Sequence, residues 1–194
     1  MTRGGISQQR DVDIRPASHN DAEEIAAVHI GSFLATYSHL PRTRRAAEAG
    51  LAERVAVWTR RLKEPETGCT TFVATDGGRV CGFVHVGPSP DSDDDPGTTG
   101  QILSIHVEPE VTGGGIGSRL MARAMASLHA AGYTAATLWV VAENRRAGAF
   151  YERLGWRLDG ARRREMLAVE GEEGDVVTVV RYRFDLRPHP MEGP

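Results

Sequence analysis

Cysteine is scarce in this chain. Only Cys69 and Cys81 occur, each alone in an apolar or strand-forming run, with no CxxC and no histidine at ligand spacing. That pattern argues against a disulfide framework or a structural zinc site. The thiols read instead as small buried hydrophobes. A surplus of positive charge is also missing. Lys and Arg number 23 against 26 Asp and Glu, for a net charge of -3. Bulk nucleic-acid binding needs the opposite balance to displace counterions. No stretch approaches the roughly 18 uninterrupted apolar residues of a membrane span. The opening MTRGGISQQR lacks the apolar centre of a signal peptide. Neither a nucleic-acid nor a membrane partner is therefore expected, and the expected compartment is the cytoplasm.

What remains is an ordinary globular composition. The 194 residues are 40% hydrophobic and 25% charged, which suits one compact domain. Residues 1–10 are polar and read as a disordered leader to the fold. Asp11 to Arg15 alternates as a first strand. Asn20 with Glu23 resembles a capping box opening a helix. A second helix is expected over Arg44 to Lys63. Two strands, Thr70 to Thr75 and Arg79 to Val86, flank the hairpin signal Asp76-Gly77-Gly78. Residues 87–100, GPSPDSDDDPGTTG, read as a flexible, solvated acidic loop; they lack the ligand spacing of a calcium loop. Gln101 to Val107 is a strand, and a helix then runs to about Ala131. Ala135 to Val141 is an apolar strand, and a helix follows from Asn144 to just before Gly155. Strands Trp156 to Met166 and Asp175 to Leu186 complete an α/β chain.

The first segment that carries chemistry is HVEPEVTGGGIGSRLM. A strand ends, the chain turns through Gly113, Gly114 and Gly115, and a helix begins at Ile116, Gly117 and Ser118. Backbone N–H groups without Cβ atoms, together with the open N–H groups of a helix start, form an anion cradle that needs no lysine. A Walker loop would require Gly-Lys-Ser/Thr, and the lysine is absent. A dinucleotide fold would place its glycines in the first βαβ unit. Here they lie past mid-chain. A helix start built from convenient glycines remains an alternative on this segment alone.

The second segment is LWVVAENRRAGAFYERLGW. Asn144, Ala147 and Tyr151 fall on one helical face. Asn144 is a good N-cap, Ala147 is small enough to let a ligand pass, and Tyr151 points a phenol toward the same groove.

The two segments together, in this order, resemble the GNAT superfamily of acyl-CoA-dependent N-acyltransferases, and the resemblance covers about residues 11–187. It implies a single-domain fold with a mixed sheet of about seven strands flanked by about four helices. In that fold the fourth and fifth strands splay apart. Residues 188–194 would be a tail. The resemblance further implies acetyl-CoA as cosubstrate, with no metal. Backbone at Ile105, His106 and Val107 would pair with the pantetheine arm, the turn Gly113–Ser118 would hold the pyrophosphate, and Asn144 and Ala147 would line the cofactor. Tyr151 resembles the family's general acid. The acceptor would be a primary amine of a small molecule or peptide. A non-catalytic acyl-CoA sensor is the competing reading. The final strand, VVTVVRYRF, is a candidate for pairing in a homodimer.

Three positions depart from the family pattern. Thr112 stands where Gln or Arg usually opens the turn, and the turn has more glycines than usual. Gln101 and Trp139 occupy the strand positions where relatives often carry a glutamate base. His106, Glu108 and His85 are the nearest substitutes by strand position, and none is singled out. Arg119, Arg145 and Arg146 are candidates for the adenosine phosphates. His29, Phe33 and Tyr37 share a helical face that would line the acceptor pocket, whereas Trp58 and Trp139 read as core.

Overall fold

A computed structural model describes residues 12–167 and 174–187. Residues 1–11, 168–173 and 188–194 lie outside that description, and with them the expectations for the leader and tail. The described chain runs β1 (Val12–Pro16), α1 (Ala22–Tyr37), α2 (Pro41–Ala49), α3 (Leu51–Lys63), β2 (Thr70–Asp76) and β3 (Arg79–Pro88). It continues through β4 (Thr99–Val107), α4 (Ile116–Ala130), β5 (Ala135–Val141), α5 (Arg145–Arg153), β6 (Arg157–Leu167) and β7 (Asp175–Asp185). One sheet contains the seven strands in the order β1-β2-β3-β4-β5-β7-β6.

Two local readings shift. The expected helix over Arg44 to Lys63 is two helices that meet at Gly50, whose φ of -88° and ψ of 12° are not helical. Glycine loses the most backbone freedom on entering a helix, so it is a natural break point. The fold therefore has five α-helices among the described residues rather than about four. The turn into α1 is organised by Asp21 and not by Asn20 with Glu23. The Asp21 carboxylate accepts from the backbone N–H of Ser18 at 2.6 Å and from both terminal nitrogens of Arg15. The Arg15 hydrogen bond, despite the burial of Asp21, holds the Asp21 pKa down at about 2.

Apolar side chains sort to the two faces of the sheet. Phe72, Val84, Ile102 and Leu138 meet Leu120, Ala124 and Leu128 of α4. Val73, Val80 and Phe83 meet Ile25, Ala26 and Val28 of α1 and Trp58 of α3 on the other face. Each fully buried side chain of this size contributes about 1.5–3 kcal/mol. Trp58 is fully buried, as expected of a core residue.

The feature that positions the site is a weak seam. β4 and β5 are parallel neighbours over only three residue pairs, Thr99–Ala135, Gly100–Ala136 and Gln101–Thr137. Beyond Gln101 and Thr137 the two strands part. The register of β3 against β4 also slips between His85 and Val86, leaving Leu103 as an extra residue opposite the slip. The bulge turns β4 away from β5 and opens a gap inside the sheet.

β7 hydrogen-bonds to β5 on one side and to β6 on the other. It has no free edge, so it cannot pair across a two-fold axis as expected. β6 holds the outer edge instead.

Candidate active site

The gap between β4 and β5 continues into a cleft of about 1110 Å³ that passes under α1 and reaches the glycine turn. It is somewhat larger than the usual small-ligand pocket, and Ile102 to Val107 of β4 line it.

At one end stands the turn. Gly113 and Gly115 have φ of 94° and 80°, a region that costs residues with a Cβ about 1–2 kcal/mol. A Cβ at either position would meet nothing within 4 Å, so conformation and not space demands glycine there. Gly115 caps α4, and its N–H with those of Ile116, Gly117 and Ser118 has no partner inside the helix. The positive end of the α4 dipole adds to this cradle. The Thr112 hydroxyl donates to the carbonyl of Glu108 at 2.9 Å. Any anion held here meets backbone rather than that side chain. Of Arg119, Arg145 and Arg146, only Arg146 borders the cleft.

Along the wall, Ile105, His106 and Val107 follow the parted edge of β4, with Ile105 and Val107 packed toward the α4 core. His106 turns to the α1 face. Its Nδ1 lies 2.7 Å from Ser32 Oγ, and its ring is 4.3 Å from that of His29. Burial holds the His106 pKa down at about 4 and depresses that of His29 well below the usual imidazole range. His85, bonded to Thr71 Oγ1, is likewise depressed by burial to about 4. All three are neutral at pH 7. Glu108 is engaged by both terminal nitrogens of Arg79 and does not border the cleft.

Opposite, α5 supplies its face. Asn144 Oδ1 accepts from Ala147 N at 3.1 Å, which is the expected N-cap. Its Nδ2 donates to the Tyr37 hydroxyl at 3.1 Å. Tyr151 is 8% exposed and borders the cleft. Burial, with smaller contributions from Tyr37 and Tyr182, raises its pKa well above the usual phenol value. His29, Phe33 and Tyr37 all border the cleft, so the shared face of α1 is its roof.

The far end was not legible beforehand. The segment between β3 and β4 carries the aspartates expected to be solvated, but Asp91 and Asp94 side chains are only 5% and 2% exposed. Arg181 and Arg183 of β7 and Arg163 of β6 bind them. Trp139 is half-buried rather than core. Arg163 lies over its ring at 4.1 Å, and its Nε1 donates to Asp91 Oδ2 at 2.7 Å. No sequence signal links partners 48 to 90 residues apart.

The family model described as the acetyltransferase (GNAT) family matches residues 33–156. The chain belongs to the GNAT acetyltransferase family. Mycothiol acetyltransferase of Kocuria rhizophila is 30% identical over 158 residues, covering 79% of this chain and 50% of the relative. The chain thus spans half the length of that relative. Among solved structures, Salmonella typhimurium yncA, determined with acetyl-CoA, superposes with a TM-score of 0.68 at 20% identity, over 94% of this chain and 98% of the other. The PaiA N-acetyltransferase of Thermoplasma acidophilum, in complex with coenzyme A, gives 0.65 at 18%, over 88% and 98%. At such identity these two speak for the GNAT fold. The parted β4 and β5 are the fold feature that the resemblance implied. Among the described residues no helix is long and apolar enough to cross a membrane, and no cluster of metal-binding side chains occurs.

Proposed function

We propose that this GNAT protein transfers the acetyl group of acetyl-CoA to a primary amine of a small molecule or peptide. The observation that carries the reading is the continuity of one cleft from the glycine turn, along the β4 edge, to the Tyr151 phenol. The cradle of Gly113 to Ser118 suits a pyrophosphate. The strand edge from Ile105 to Val107, paired with β3 on one side and open toward β5 on the other, suits an extended arm bearing amide groups, with Ala147 and Asn144 across the gap. A backbone N–H on β4 can also face the thioester oxygen as charge develops there.

The amine attacks the thioester carbon as a neutral nitrogen, forming the C–N bond and a tetrahedral oxyanion. The C–S bond then breaks, and sulfur leaves with the electron pair. Tyr151 gives its phenolic proton to that thiolate and recovers one from solvent, into which the product nitrogen has shed its extra proton. The raised pKa of Tyr151 keeps the phenol protonated across the working range. Holding both reactants in one groove supplies much of the remaining rate.

Thiol release from acetyl-CoA with a panel of alkyl, amino-acid and peptide amines tests the reading. Tight coenzyme A binding without turnover on any acceptor would favour a non-catalytic sensor. The pH profile tests the missing base. Burial holds the pKa values of His85 and His106 down at about 4, so neither should change charge between pH 6 and 8. Over that window kcat/KM for an alkylamine of pKa near 10 should rise about tenfold per pH unit, following the neutral amine alone. A plateau or second titration near pH 7 would reveal an enzyme base.

A further inference from the structure

Both strand positions that lack an acid aim an N–H at one carboxylate brought from elsewhere in the chain. Gln101 Nε2 lies 3.1 Å from Asp91 Oδ2, and Trp139 Nε1 lies 2.7 Å from the same oxygen. Arg163 donates to Oδ1 at 2.9 Å, and Arg181 approaches Oδ2 at 3.4 Å. Burial raises the pKa of Asp91, but the hydrogen bonds from Trp139, Arg163 and Arg181 outweigh it and hold the group below the usual carboxylate range. A carboxylate so saturated cannot take a proton from a substrate.

What Asp91 controls is the direction of an amide. An ionised carboxylate only accepts, so it admits the NH2 end of Gln101 and rejects the carbonyl end. Thr137 Oγ1 at 3.2 Å and Ser89 Oγ at 3.4 Å from the same nitrogen add further acceptors. Gln101 Oε1 is therefore turned away from Asp91. It takes no hydrogen bond from any described residue, and it is not among the side-chain atoms sealed from solvent without a partner. Gln101 is 5% exposed and borders the cleft at the last pair joining β4 to β5. An oriented, unused acceptor on a largely buried side chain thus stands at the vertex of the gap, open to the cleft.

We propose that Gln101 is the acceptor-positioning residue: its Oε1, aimed by Asp91, receives an N–H of the incoming amine. The inference rests on the acetyl-transfer reading above. A neutral primary amine has N–H groups to donate and one lone pair to deliver. Fixing an N–H at the vertex leaves the lone pair free to face a thioester carbon lying against the β4 edge. The glutamate position of relatives is thereby used to orient the nucleophile and not to deprotonate it.

The test needs no turnover. Coenzyme A bearing –CH2–C(=O)–NH–propyl on its sulfur places an amide N–H where the attacking nitrogen would sit. Its affinity and that of unmodified coenzyme A are measured by calorimetry for the wild type, Gln101→Leu and Gln101→Glu. Gln101→Leu should weaken the probe about tenfold, the worth of one hydrogen bond, and leave coenzyme A unchanged. In Gln101→Glu the new carboxyl faces Asp91, so the like charge keeps it protonated at low pH. Its proton then goes to Asp91 and its carbonyl to the cleft. Probe affinity at pH 5.5 should stay within about threefold of wild type and fall as pH rises, while coenzyme A affinity does not follow. Equal losses for probe and coenzyme A, or none for either, would overturn the assignment. So would probe binding to Gln101→Glu that ignores pH, which covers the case of a Gln101→Leu protein that fails to fold. Failure of the acetyl-transfer reading shows separately, as absent thiol release by the wild type.

Discussion

Replacing Tyr151 with phenylalanine is expected to lower kcat by about 100-fold or more, the usual range for a lost general acid. Coenzyme A affinity should stay within about twofold. The phenol donates no hydrogen bond to a described residue, and its ring packs against Phe150, Trp156 and Tyr182. Phenylalanine preserves those ring contacts, so unfolding should barely change. A partial rescue by acceptor panels would not be expected, because the lost proton goes to the leaving sulfur and not to the amine. Steady-state kinetics with acetyl-CoA beside calorimetry with coenzyme A make the comparison. Turnover within about twofold of wild type would remove Tyr151 from the chemistry.

The second large effect concerns stability. Arg181 is 5% exposed and carries the charge balance of the carboxylate cluster behind the far end of the cleft. Its Nε meets Asp159 at 2.7 Å, and its terminal nitrogens meet Asp93 at 2.7 and 2.8 Å. Asp91 and Asp94 lie 3.4 and 3.7 Å from Nη1. Arg181→Met would take one cation from the buried carboxylates of Asp91 and Asp94, and breaking such a group from one side costs about 3–5 kcal/mol. Arg163 and Arg183 remain to answer Asp91 and Asp94, so the lower end is expected. Even that is a large fraction of a typical domain stability of about 5–15 kcal/mol. Urea unfolding should show a lower midpoint at unchanged slope. Adding Asp94→Asn to Arg181→Met should recover part of the loss. A cost below about 1 kcal/mol would mean that Arg181 is not the keystone of this end.

These two sites differ in how far they could be read beforehand. The α5 face and the glycine turn are local. Asn144, Ala147 and Tyr151 sit within one short helix, and periodicity alone puts them together. The apolar run Ala135–Val141 was legible to the residue, because an apolar strand between Gly132 and Asn144 has little freedom in its bounds. The break at Gly50 is hidden because Leu51, Val55, Trp58 and Leu62 keep helical spacing directly after it. The burial of the aspartates in the β3–β4 segment is hidden for a different reason. Composition classes a run of Asp, Ser and Pro as solvated, and it would be, without three arginines arriving from β6 and β7. Trp139 follows from the same omission: its indole N–H needs a partner, and that partner is Asp91. The Tyr37 contact to Asn144 also joins residues 107 positions apart. Local pattern reaches the glycine turn and the α5 face, while the far end of the cleft is assembled from long-range pairs.

The three-pair seam between β4 and β5 has a consequence for the unliganded protein. A sheet edge normally lies at its margin, where charge, bulges or covering loops protect it. Here part of an edge lies in the middle of the sheet, from Ile102 to Val107, because β5 has already turned away. The leaf from β1 to β4 and the leaf formed by β5, β7 and β6 are each continuous in sequence. A chain emerging from synthesis therefore completes the first leaf before any residue of the second exists. A ligand with evenly spaced amide groups would then act as a short surrogate strand, closing from outside the polypeptide a sheet that the polypeptide leaves open.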